Sequence, residues 1–133
     1  MRAKLPAIVL TSALTIGGVA AVAAGVAYAA IGGAQAPYAR AAAVVDANGS
    51  VVRSKGVTAV RKINTGQYCI EVDPDIDATK AVPVATKRWG APWNSTVFVD
   101  QQATQCGDSA RHIFVGAGNN GAAADIPFNV IVP

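Results

Sequence analysis

A small antiparallel β-sandwich or barrel of about seven to eight strands is the fold class the sequence predicts for residues 41–133, and three observations predict it. Apolar residues recur with a short period from Ala41 onward, turn residues interrupt them every six to twelve positions, and no stripe of helical period competes. Many short strands separated by turn signals are the pattern of a domain made from two packed sheets or one closed sheet.

The elements follow in order. Ala41–Asp46 and Val51–Ser54 flank Ala47-Asn48-Gly49-Ser50, where Asn-Gly can take the positive φ angles of a tight hairpin. Val57–Ile63 and Gln67–Val72 flank Asn64-Thr65-Gly66, a second hairpin signal. Alternation in the latter strand puts Tyr68, Ile70 and Val72 on one face and Cys69 with Glu71 on the other. Asp73–Asp77 reads as a turn, because Pro74 cannot donate to a ladder and aspartates favour local backbone bonding. Ala81–Thr86 is a strand in which Pro83 implies an edge or a bulge, and Lys87–Ser95 is a loop. Thr96–Gln101 follows as a strand with Val97 and Val99 on one face. Gln102–Ser109 carries Cys106 in polar surroundings. Ala110–Gly116 and Ile126–Val132 are the last strands, separated by a glycine- and alanine-rich loop, Ala117–Asp125.

The N-terminal stretch has a different character. Arg2 and Lys4 precede an uncharged run from Leu5 to Gln35, and Ala27-Tyr28-Ala29 supplies small residues at the spacing a signal peptidase accepts. Residues 1–29 therefore read as an export signal cut after Ala29, residues 30–40 as a flexible lead-in and residues 41–133 as one domain. The alternative is an uncleaved membrane anchor, since the run exceeds the roughly 20 residues that span a bilayer. Its richness in Ala, Gly and Thr weakens that reading.

Cleavage would leave 133 less 29, or 104, residues, enough for one modest core. It would also remove Arg2 and Lys4 and lower the formal charge from +3 to +1, so the basic balance gives no reason to expect a nucleic-acid partner. In an exported chain the two cysteines, Cys69 and Cys106, are most simply read as one disulfide. The chain-entropy model assigns about 4 kcal/mol to closing the 38-residue loop from Cys69 to Cys106. A redox or metal role would need C-x-x-C proximity or further ligands.

The combination of the export signal, Ala43-Val44-Val45-Asp46-Ala47-Asn48-Gly49-Ser50, Gly66-Gln67-Tyr68-Cys69-Ile70 and Ala122-Ala123-Ala124-Asp125-Ile126-Pro127-Phe128-Asn129-Val130 resembles a group of short secreted bacterial proteins of unknown function. The resemblance covers Ala41–Pro133 in outline. It implies a compact β-domain with one disulfide, and it implies no activity, ligand or catalytic residue.

Chemistry-bearing residues are sparse. His112 is the single histidine, and no G-x-S-x-G elbow accompanies it, so it reads as an ordinary strand residue. Glu71 is the lone glutamate, which leaves little for paired-carboxylate catalysis. Asp73, Asp75 and Asp77 have the alternate spacing that opens a calcium loop, but Val84 stands where the closing glutamate would fall. Asn48-Gly49-Ser50 and Asn94-Ser95-Thr96 match a glycosylation sequon and are equally explained as turns. No cofactor motif is present, and no cofactor is expected.

Both tryptophans lie in Lys87-Arg88-Trp89-Gly90-Ala91-Pro92-Trp93-Asn94-Ser95. Rings held outward on a loop offer broad, rigid contact area, to which Lys87, Arg88 and Asn94 could add polar contacts. Rings folded back would cap one end of the sandwich, and because burying two indoles is worth several kcal/mol to so small a core, that is the expected placement. The functional reading is a secreted, non-catalytic β-domain that binds a cell-surface polymer or protein through the Trp89/Trp93 loop, with the membrane involved only through export. A structural envelope-associated protein and a small extracellular hydrolase are the alternatives.

Overall fold

Nine antiparallel strands make two sheets in the computed structural model, which describes residues 31–100 and 104–133. The export segment, its cleavage site after Ala29, and Gln101, the expected end of one strand, lie outside the described residues. The strands are β1 (Ala41–Val45), β2 (Val51–Lys55), β3 (Val57–Asn64), β4 (Gln67–Val72), β5 (Val84–Lys87), β6 (Ser95–Asp100), β7 (His112–Asn119), β8 (Ala122–Ala123) and β9 (Phe128–Val132). One sheet has the order β2-β1-β9-β5. The other has the order β3-β4-β7-β6, with β8 paired to β7. The two sheets pack as a sandwich rather than closing into a barrel.

The first hairpin turns at Gly49 (φ 91°), where Asn48 Oδ1 accepts from Ser50 N, and the second turns at Gly66 (φ 68°). β2 and β3 are nearly one strand that changes sheet at Gly56. That residue has φ 66°, and a Cβ there would strike the carbonyl oxygen of Arg40, so the corner requires glycine. Residues 31–36, part of the stretch expected as a flexible lead-in, run along β2. Ser54 bonds to Gly32 and Ala34 through its backbone and to Gly32 N through its hydroxyl, while Lys55 Nζ donates to the carbonyl of Ala36.

Several boundaries differ from expectation. The strand expected from Ala81 begins at Val84, because Asp77 caps a 3-10 helix at Ala78–Lys80 and Pro83 follows it. The strand expected to end at Gly116 continues to Asn119. The stretch expected as an open loop folds into a β7–β8 hairpin around Asn120 (φ 55°) and Gly121 (φ 81°). The last strand starts at Phe128 rather than Ile126, whose side chain is nonetheless buried.

The alternation read in β4 holds. Tyr68, Ile70 and Val72 face the core, where they meet Val60 from β3, Ile113 and Val115 from β7, Val45 from β1 and Phe128 from β9. Tyr68 and Phe128 bring one ring from each sheet into edge-to-face contact, with centroids 4.9 Å apart and planes at 63°. The Tyr68 hydroxyl donates to the carbonyl of Ala47 at 2.6 Å and accepts from Ile126 N at 3.2 Å. Burial, reinforced by the charge of Asp125, pushes its pKa up to about 12.

On the opposite face of β4, Cys69 is bonded to Cys106, with Cα atoms 5.6 Å apart. Cys106 ends the 3-10 helix Thr104–Cys106, so the bond pins the β6–β7 connection across the outer face of its sheet. Arg61 Nη2 donates to the Cys106 carbonyl at 3.0 Å and ties the same segment to β3. Opening so long a loop by reduction costs about 4 kcal/mol in the chain-entropy model.

Candidate functional site

The connection between β5 and β6 carries the tryptophans, and its backbone is built from two consecutive turns. In the first, Ala91 N donates to the carbonyl of Arg88 at 3.1 Å, and Gly90 takes the left-handed conformation (φ 100°) that its third position needs. In the second, Ser95 N donates to the carbonyl of Pro92 at 3.0 Å, and the Ser95 hydroxyl binds the same oxygen. Trp89 and Trp93 each occupy the second position of their turn. That repetition gives both side chains an outward path.

Long side chains then fasten the loop to the sandwich. Lys87 Nζ donates to the carbonyls of Trp93 (3.0 Å) and Ser95 (2.8 Å), closing the loop from inside. Arg88 Nη1 donates to Asp46 Oδ1 at 2.7 Å and to the carbonyl of Val45 at 3.2 Å, which joins the loop to the β1–β2 turn. The Arg88 backbone N donates to the carbonyl of Pro127 at 3.1 Å. These bonds commit Lys87 and one guanidinium nitrogen of Arg88 to positioning the loop.

The rings stand in solvent, contrary to the expected packing onto the sandwich: Trp89 is 91% and Trp93 84% exposed. Their main contact is each other, edge to face with centroids 6.0 Å apart and planes at 88°. Capping fails for a geometric reason. The turns aim both Cβ atoms away from the sheets, while Ala91 packs against the core in their place. Residues 87–93 line an open cleft of about 390 Å³. Asn94, expected as a polar contact, is exposed, and its carbonyl lies 3.5 Å from Asn120 N.

The structure thus brings Lys87, Arg88, Trp89, Trp93 and Asn94 into one loop, and it places Cys69 and Cys106 in a bond remote from it. Sequence reading missed Asp46, the anchor of Arg88. The two are 42 residues apart, and nothing local links them. It also missed Phe98, 66% exposed on the outer face of β6 beside Gly116, although the inward placement of Val97 and Val99 implies an outward Phe98.

The remaining candidates have structural partners. His112 Nδ1 donates to the carbonyl of Asp108 at 2.8 Å, and Nε2 lies 4.0 Å from Glu71 Oε2, whose other oxygen accepts from the Thr58 hydroxyl at 2.7 Å. Asp77 accepts from the Thr79 hydroxyl and backbone N, bonds that hold its carboxyl below the usual range. Among the described residues, no three His, Cys, Asp or Glu side chains converge as metal ligands. Comparison of the chain with family models, curated proteins and solved structures returns no match.

Proposed function

We propose that this chain is a secreted, non-catalytic β-domain that binds a component of the cell surface, a polymer or a protein, through the Trp89/Trp93 loop. The N-terminal sequence supports export, and the Cys69–Cys106 bond is consistent with an oxidising compartment. The observation that carries the reading is the exposure of both indoles on a loop fixed by turns and by Lys87 and Arg88. A domain this small forgoes several kcal/mol by leaving two such rings in water, and rigid aromatic loops recover that loss when a partner covers them.

The test has two stages. Tryptophan emission of the free protein is expected to be red-shifted and readily quenched by acrylamide; blue-shifted, protected emission removes the contact surface. Pull-down from intact cell-envelope material is then expected to recover partners with wild type and to lose them with the Trp89→Ala, Trp93→Ala double variant. Equal recovery by both defeats the proposal.

A further inference from the structure

We infer that the component contacted by the Trp89/Trp93 loop is the polar–apolar boundary of a lipid bilayer carrying anionic headgroups. The inference rests on the preceding reading that this loop is the contact surface, but it assigns lipid in place of a polymer or a protein as what the loop contacts, and so departs from the expectation that the membrane is involved only through export. Its first support is side-chain chemistry. Between Arg88 and Asn94 the loop runs Trp-Gly-Ala-Pro-Trp, so the indole N–H groups are the only polar side-chain atoms at its tip. A sugar ring or a polar protein surface needs side-chain donors and acceptors to match its own, and the loop offers few: Asn94 is exposed, while the two cations already hold bonds within the protein. Lys87 is bonded to two carbonyls, and Arg88 is bonded to Asp46 and to the carbonyl of Val45. An indole ring instead suits the interfacial zone, where its body leaves water and its N–H remains among headgroups.

Charge placement is the second support. Lys87 and Arg88 lie at the base of the loop, and no carboxylate stands among residues 87–95. With the rings inserted, the two cations sit at headgroup level, the arrangement that basic residues flanking an apolar membrane contact adopt. Asp46 offsets Arg88, so the local balance is one net positive charge rather than a polybasic patch. Insertion is therefore expected to be led by the rings and assisted by anionic lipid.

The third support is shape. The indoles meet at 88°, so they form a corner rather than a flat platform, and the two could not stack on successive coplanar rings of an extended chain. A bilayer imposes no such ring geometry. The fixed turns also let the tip enter without the cost of ordering a floppy loop.

The experiment uses the oxidised protein with vesicles of phosphatidylcholine alone and of phosphatidylcholine mixed with phosphatidylglycerol, read by co-sedimentation and by tryptophan emission. The expected result is binding to the mixed vesicles with blue-shifted emission and reduced acrylamide quenching, weaker binding to phosphatidylcholine alone, and further weakening as salt is raised. Trp89→Ala and Trp93→Ala are each expected to reduce the partition on the order of tenfold, and the double variant to abolish it, with circular dichroism unchanged. Wild type that fails to bind either vesicle while its envelope pull-down stays tryptophan-dependent overturns the lipid assignment and leaves the contact loop standing. Vesicle binding that persists in the double variant also overturns it. Tryptophan-independent recovery in both assays defeats the assignment and the proposed function together.

Discussion

Tyr68 and Phe128 meet edge to face with centroids 4.9 Å apart, and Trp89 and Trp93 meet edge to face at 6.0 Å, yet the first pair is fully buried and the second stands almost wholly in water. The buried pair draws one ring from each sheet, so it holds the two layers together. The exposed pair comes from one loop and holds nothing but itself. Ring geometry alone therefore says little about what an aromatic contact does. What surrounds it decides whether its energy goes into the fold or stays available to a partner.

The largest expected effect follows from removing a ring of the buried pair. Phe128→Ala takes away a side chain that touches both sheets and leaves a cavity under Tyr68, so a loss of roughly 3–5 kcal/mol in urea unfolding is expected. A loss below about 1 kcal/mol would mean that the sheets do not depend on this contact, and the distinction between the two pairs would collapse.

A smaller effect is expected from the hydroxyl alone. Tyr68→Phe keeps the ring and leaves the carbonyl of Ala47 and the N–H of Ile126 without their partner, a cost of about 1–3 kcal/mol. The same group makes wild-type stability depend on pH. Its pKa rises from 10.0 to about 12 on folding, so above pH 10 the unfolded chain loses the phenolic proton while the native state keeps it. The native state then binds more protons than the unfolded state, and the stability contributed below pH 10 is lost progressively as pH rises towards about 12. Urea unfolding across this window is expected to show a steeper decline in wild type than in Tyr68→Phe. Parallel declines would show that the hydroxyl is not buried as described.

Of the buried pair, the Tyr68 half was legible in the sequence. Strict alternation in Tyr68-Cys69-Ile70-Glu71-Val72 fixed which residues face inward and sent Cys69 to the other face, where Cys106 meets it. The turns at Gly49 and Gly66 were equally readable, because a positive φ selects Asn-Gly and Thr-Gly locally. Less readable was whatever depends on distant partners. That Phe128 answers Tyr68 depends on β9 pairing with β1 at the far end of the chain, a register no local pattern encodes. The hairpin after Asn119 was hidden because alanine and glycine carry almost no period-two signal. The exposure of the tryptophans was misjudged for a related reason. Burial energy favours packing them inward, but the turn sequence Arg88-Trp89-Gly90-Ala91 and the bond from Arg88 to Asp46 aim them outward.

The smallest expected effect completes the comparison from the other side. Trp89→Ala or Trp93→Ala removes a ring that is already solvated, so no core contact is lost and no cavity forms. The turn bonds are made by backbone atoms that alanine retains, and the Lys87 and Arg88 contacts reach carbonyl groups and Asp46 rather than the indoles. What disappears is the mutual ring contact, which at an exposed site lies at the low end of its range of about 0.5–1.5 kcal/mol. Each single variant is therefore expected to unfold within about 0.5 kcal/mol of wild type. Because either substitution breaks the same pair, the double variant is expected to cost no more than one single variant. A single variant that loses more than about 1.5 kcal/mol, or a double variant whose loss is the sum of both, would show that the rings pack onto the sandwich in solution. The loop would then belong with Tyr68 and Phe128 as part of what holds the fold.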